Sequence, residues 1–199
     1  KVAKLAGKRH ATVRGLYLWG SVGRGKTFLM DLFYNALPFP HKRRQHFHRF
    51  MASVHDGLKQ HRNVENPLEL VAEEIADETR IICFDEFAVT DIADAMLLGN
   101  LFAGLFERGV TLAATSNIVP DQLYAGGLQR QRFLPTIELL KRHTEVVHVD
   151  GGVDYRLRAL ERADVYQTPT GEAADRRLAE FFSTIAPDEG DLGGSLELF

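Results

Sequence analysis

The sequence predicts an α/β fold, a five-stranded parallel sheet flanked by helices, on three observations. Five short strand-like segments alternate with segments of helical periodicity, as in sheets whose crossovers are helices. The first apolar segment runs into Gly20-Ser21-Val22-Gly23-Arg24-Gly25-Lys26-Thr27, a G-x-x-x-x-G-K-T phosphate-loop pattern, and straight on into a helix from Phe28. A later apolar segment ends in two adjacent carboxylates, Asp85 and Glu86, at the strand edge where open α/β sheets bind ligands.

The strands are expected at 16–19, 45–50, 80–84, 111–115 and 145–149, each short and rich in branched or aromatic residues. Helical patterns lie between them at 27–36, 52–61, 67–76, 91–108 and roughly 128–143. The fourth is the clearest. Asp91 caps it or complements its dipole, Ile92, Ala95, Met96, Gly99, Phe102 and Phe106 fall near one face, and Arg108 with Gly109 closes it. After Asp150-Gly151-Gly152, the alternation of Val153, Tyr155 and Leu157 reads as a short antiparallel hairpin strand appended to the sheet. The tail from Asp188, rich in Gly, Asp and Glu, is expected to be poorly ordered.

A chain of 199 residues, 45% hydrophobic and 26% charged, suits one globular domain with a substantial core. No apolar run approaches the roughly 20 residues that span a bilayer. The single cysteine, Cys83, excludes an internal disulfide and fits a reducing, cytoplasmic setting. The chain opens at Lys1 without an initiator Met or an apolar leader and is read as a piece of a longer protein. A net charge of −3 does not advertise nucleic-acid binding, although Lys42, Arg43, Arg44 and Arg49 cluster.

The chemistry follows from the two strand ends. Glycines at 20, 23 and 25 let backbone N–H groups turn inward around a polyphosphate, and the helix start adds its dipole. Ser21, Val22, Arg24 and Phe28 complete the binding segment. Lys26 is placed to reach β- and γ-phosphate oxygens, and the Thr27 hydroxyl to ligate Mg²⁺. Asp85 holds Mg²⁺ opposite Thr27, usually through water, and Glu86 polarises an attacking water. Asp-Glu at a strand end also reads as a turn start; behind an apolar run and 58 residues after Thr27, a Walker B element explains it better. Asn117, beyond the segment Thr111–Thr115, is either a turn cap or an amide that bonds the attacking water or the γ-phosphate. Arg130 and Arg132 are either solvated or available to a neighbouring subunit's nucleotide, and on a helix only one of them faces it.

Residues 43–55 admit several readings. His46 and His48, two apart on a strand, share a face and suggest a metal with His55, but no fourth ligand stands at a persuasive spacing for zinc. Phe47 and Phe50 interleaved with basic residues suggest nucleic acid, against the plainer reading of a solvated sheet edge.

GSVGRGKTFLMDLFY, KRRQHFHRFMASVH, IICFDEF followed by DIADAMLLGNLF, ATSN, and LYAGGLQRQRFLP through VDGGVDYRLRAL together resemble the ZapE-like AAA+ ATPases of bacterial cell division and their mitochondrial relatives. The likeness runs from about Gly15 to Leu160. It implies an AAA+ fold with an ATPase core over residues 1–160, a ring of usually six subunits, and ATP sites shared between subunits. It implies peripheral inner-membrane association, or the mitochondrial matrix in a eukaryote, and action on the tubulin-like division protein FtsZ. It assigns Walker A to Gly20–Thr27, Walker B to Asp85 and Glu86, sensor 1 to Asn117, and the arginine finger to Arg132, with Arg130 second. In AAA+ rings the loop after the second strand often faces the pore, which offers Phe50 and Met51 as gripping side chains, with core packing the equal alternative. Residues 161–199 do not spell a complete helical lid, so a partial lid or tail is expected and the second sensor stays unassigned. A helicase-loader-like ATPase bound to nucleic acid is the alternative function. A small-molecule kinase is disfavoured by the Asp85-Glu86 pair, and a GTPase by the lack of an Asn-Lys-x-Asp guanine reader.

Overall fold

Alternate residues of each central strand serve two different cores, and this places the helices on both faces of one sheet. In the computed structural model, which describes residues 13–150 with Gly171, Asp175 and Arg176, the strands are β1 (Gly15–Trp19), β2 (Lys42–His46), β3 (Ile81–Asp85), β4 (Thr111–Ser116) and β5 (Thr144–His148). The helices are α1 (Lys26–Ala36), α2 (Phe47–Gln60), α3 (Pro67–Glu78), α4 (Ile92–Glu107) and α5 (Arg130–His143), with a 3₁₀ turn at Pro120–Gln122. The strand order is β2-β3-β4-β1-β5, and every pairing is parallel. This is the five-stranded α/β sheet expected of a P-loop NTPase of AAA+ type.

Ile82 and Phe84 of β3 enter the larger core with Phe50, Val54, Leu98, Phe102 and Phe133, whereas Ile81 and Cys83 pack on Met30 of α1. Phe47, Phe84, Phe87 and Phe102 form an aromatic cluster, with edge contacts of 4.6 Å between the centroids of Phe47 and Phe87 and 5.6 Å between those of Phe47 and Phe84. Such pairs add about 0.5–1.5 kcal/mol each beyond their area burial. Asp91 caps α4 by accepting from the amides of Ala93 and Asp94. At the far end of β1, Trp19 stacks on His148 with ring centroids 4.0 Å apart, and its carbonyl accepts from the amide of Val149.

The second strand differs from expectation. It covers Lys42–His46 rather than 45–50, and α2 begins at Phe47 rather than at residue 52. Phe47, Phe50, Met51 and Val54 recur at the spacing of one helix face and are all buried, so apolar burial drives this stretch into a helix. His46 and His48 therefore share no strand; His46 ends β2, His48 lies in α2, and their rings stack 5.7 Å apart.

The chain divides into two compact units, 1–151 and 152–199. The hairpin expected at Val153–Leu157, the region 161–199 and the tail from Asp188 lie outside the described residues, save Gly171, Asp175 and Arg176.

Candidate nucleotide site

Three neighbouring strands end at one edge of the sheet, and each delivers one part of the site. The strand β1 leads into the phosphate loop, β4 into Asn117, and β3 into Asp85 and Glu86. With strands about 4.8 Å apart, the tips of β1 and β3 lie about 10 Å from each other.

In the loop, Gly23 and Gly25 hold φ of 82° and 81°, the left-handed region that side chains disfavour. A Cβ on Gly20 would stand 2.3 Å from the carbonyl oxygen of Val149, so only glycine passes there. The Gly20 amide donates to the carbonyl of Ser116 at 3.2 Å, tying the loop to β4. Lys26 is buried, and its Nζ donates to the carbonyls of Gly20 and Ser21, each at 2.7 Å, inside the loop. Helix α1 starts at Lys26 with no acidic residue in its first turn and no side-chain cap. Its first amides and positive dipole end therefore meet no anion of their own helix, as an anion site needs. Thr27 and Phe28 are exposed beside the loop.

Asp85 and Glu86 differ sharply in surroundings. The Asp85 carboxylate accepts two bonds from Arg44, from Nε at 2.8 Å and Nη2 at 3.2 Å. The same guanidinium donates to Asp31 of α1. These bonds, that to Asp85 foremost, push the Arg44 pKa further up, so it is a permanent cation. Glu86 is exposed and sits at φ 55°, rare for a residue with a side chain. Its amide donates to Thr115 Oγ1 at 3.2 Å, and the next amide, of Phe87, to the Thr115 carbonyl at 2.7 Å. Ser116 Oγ donates back to the Phe87 carbonyl at 2.7 Å. The tip of β4 thus fixes the backbone that presents Glu86.

Asn117 is exposed at the end of β4. The following Ile118 carbonyl accepts from the Tyr17 hydroxyl at 2.9 Å, and burial pushes that phenol well above its ordinary pKa. The Cys83 thiol, pushed up to about 12 by burial, carries no nucleophile.

Arg130 and Arg132 lie in the first turn of α5, and their surroundings separate them. Arg130 Nη2 donates to the Asp121 carbonyl at 2.6 Å, whereas Arg132 is exposed, its guanidinium donating to the side chain of Gln129 at 3.0 Å. Two arginines and no acid at a helix N-terminus oppose the dipole.

Phe50 and Met51 are 0% and 1% exposed inside α2. They are core residues and not part of a pore-facing loop, because the helix that begins at Phe47 turns them onto the sheet. The cationic cluster is also largely occupied: Lys42 bonds the carbonyls of Tyr34 and Leu37, Arg44 the two aspartates, and Arg43 the side chain of Gln45. Arg44 and Asp31 were not legible as site residues, since 41 positions separate Arg44 from Asp85 and no local pattern joins them.

The donor set fits Mg²⁺ with a polyphosphate. Hard oxygen ligands, the Thr27 hydroxyl and the Asp85 carboxylate, stand with a buried lysine and the amides of a helix start.

The model of the AFG1-like ATPase family matches residues 1–197. The chain belongs to the AFG1-like ATPase family. It is 50% identical to the cell division protein ZapE of Escherichia coli K12 across its whole length, which is 54% of that protein. It is 42% identical to lactation elevated protein 1 homolog B of Danio rerio over 90% of the chain and 38% of that protein. The chain thus spans about half the length of the curated bacterial relative. Among solved structures, domain III of the replication initiation protein DnaA from Thermotoga maritima aligns over 93% of this chain and 67% of its own, with a TM-score of 0.53 and 16% identity. AMPPCP-bound DnaA from Aquifex aeolicus aligns over 92% and 58%, with a TM-score of 0.54 and 14% identity. At these identities the two structures bear on the fold alone.

Proposed function

We propose that this chain is the catalytic core of an ATP hydrolase that assembles as a ring and remodels or translocates a protein partner. The observation that carries the reading is the meeting of the phosphate loop, Asp85-Glu86 and Asn117 at three adjacent strand ends, with Arg132 exposed on the first turn of α5. Lys26 neutralises the β- and γ-phosphates, and the amides from Gly23 to Thr27 cradle them. Mg²⁺, held by Thr27 and through water by Asp85, supplies charge neutralisation on the phosphate oxygens. Glu86 accepts the proton of the attacking water, and Asn117 orients that water or the γ-phosphate. Arg132, on the exposed first turn of α5, reaches the site of a neighbouring copy in a ring, usually of six, while Arg130 stays tied to Asp121 and is the second choice.

The client follows from kinship. ZapE is a cell division protein, and the division protein FtsZ is the partner that the family resemblance implies. A cytoplasmic or matrix location beside a membrane belongs to the same reading; among the described residues no helix is long and apolar enough to cross one.

Glu86→Gln tests the chemistry. It is expected to bind ATP with near wild-type affinity and to lose turnover by about 10²–10⁴-fold, measured by nucleotide binding beside phosphate release. Full turnover in this variant removes the assignment. Lys26→Ala is expected to lose nucleotide binding itself. Single-stranded DNA binding that weakens steeply with salt would instead favour the loader-like alternative. The internal bonds of Lys42 and Arg44 count against it.

A further inference from the structure

Strand β2 carries five polar or charged residues, Lys42 to His46, at an edge of the sheet, and two of them are turned onto α1. Lys42 Nζ donates to the carbonyls of Tyr34 and Leu37 at 2.8 and 3.0 Å, at the end of that helix. Arg44 reaches the site. Its guanidinium grips both oxygens of Asp85 and also Asp31, which stands one turn after Thr27 on α1. The side chains of Arg44 and Asp85 are only 20% and 13% exposed. A single cation therefore links the helix that carries Lys26 and Thr27 to the carboxylate at the tip of β3, from a third element.

The charge balance decides what this cation does. One guanidinium against two aspartates leaves the trio at −1. An ionised carboxylate offers about four acceptor positions, and Arg44 takes two of those on Asp85, leaving the others for a metal's water shell. We propose that Arg44 is a positioning residue, a counter-cation built into the site that fixes the Asp85 carboxylate and moderates Mg²⁺-dependent nucleotide binding. The proposal rests on the reading of the phosphate loop and Asp85 as a Mg²⁺–nucleotide site. Two neutralising substitutions then act in opposite senses. Arg44→Gln leaves the two aspartates at −2 and strengthens the local pull on a divalent cation. Asp31→Asn leaves the pair at zero, commits the whole guanidinium to Asp85 and weakens that pull. A network with only a structural role responds alike to both, because either change breaks the tie between α1 and β2.

The experiment titrates Mg²⁺ into the protein with a fluorescent ADP analogue and reads the half-saturating Mg²⁺ concentration for binding. Affinity for the analogue in EDTA is measured alongside. Arg44→Gln is expected to lower the half-saturating concentration by about three- to tenfold, and Asp31→Asn to raise it by a similar factor. Arg44→Lys, which keeps the charge but not the two-point grip on Asp85, should fall between wild type and Arg44→Gln, and the affinity of Arg44→Gln in EDTA should not rise above wild type. Shifts of the same sign in Arg44→Gln and Asp31→Asn, or no shift in either, overturn the proposal. Should Arg44→Gln fail to fold, Asp31→Asn still decides, because Asp31 is nearly half exposed and a fall or no change in its half-saturating Mg²⁺ is equally fatal. A wild-type protein whose nucleotide binding ignores Mg²⁺ overturns instead the site reading underneath.

Discussion

Glu86, the proposed base, sits where the backbone gives up stability at the candidate site. Its φ of 55° stores about 1–3 kcal/mol of backbone strain in a residue that sits exposed and contributes nothing to the core. The bonds from its own amide and from that of Phe87 to Thr115 hold it there. Glu86→Gly is therefore expected to raise stability by up to about 1 kcal/mol, read as a higher denaturant midpoint, while turnover falls by about 10²-fold or more. A Gly variant less stable than wild type would show that the side chain itself supports the fold. Asp85, one position earlier, needs no such strain, because it ends β3 in register with His46 and meets Arg44 from the side.

At the scale of elements, α2 and β2 explain where sequence reading succeeds and where it stops. The strands β1, β3, β4 and β5 are legible because apolar residues mark them, and β1 and β3 run directly into recognisable polar motifs. The pattern of Phe47, Phe50, Met51 and Val54 also encodes a helix, yet the alternation of His46, Phe47 and His48 imitates a strand over the same residues. The true strand, Lys42–His46, has no apolar residue at all; its cations are stabilised by Asp31, Asp85 and the carbonyls at the end of α1, partners distant in sequence. That dependence on non-local partners is why it was illegible. Phe50→Ala should cost about 3–5 kcal/mol by chemical denaturation, as for any fully buried aromatic, whereas a gripping residue on an open loop would cost almost nothing. Asp91→Ala should cost about 1 kcal/mol through the cap of α4.

For the molecule as a whole, the proposed site is divided between copies, and that division is measurable. Specific ATPase activity should rise with protein concentration, and Arg132→Ala should stay about 10³-fold slower at every concentration. Mixing Lys26→Ala, which keeps Arg132, with Arg132→Ala, which keeps an intact phosphate loop, should restore activity that neither has alone. Absence of any recovery in the mixture would place Arg132 in service of its own subunit. Trp19 offers a way to watch such events without a label. It is the sole tryptophan, its own chain neighbour is Gly20 at the mouth of the loop, and its indole lies flat on His148. A rearrangement of the loop on phosphate entry would disturb that stack, so the intrinsic emission of one indole is expected to change when nucleotide is added to the unmodified protein, and a fluorescence titration checks it.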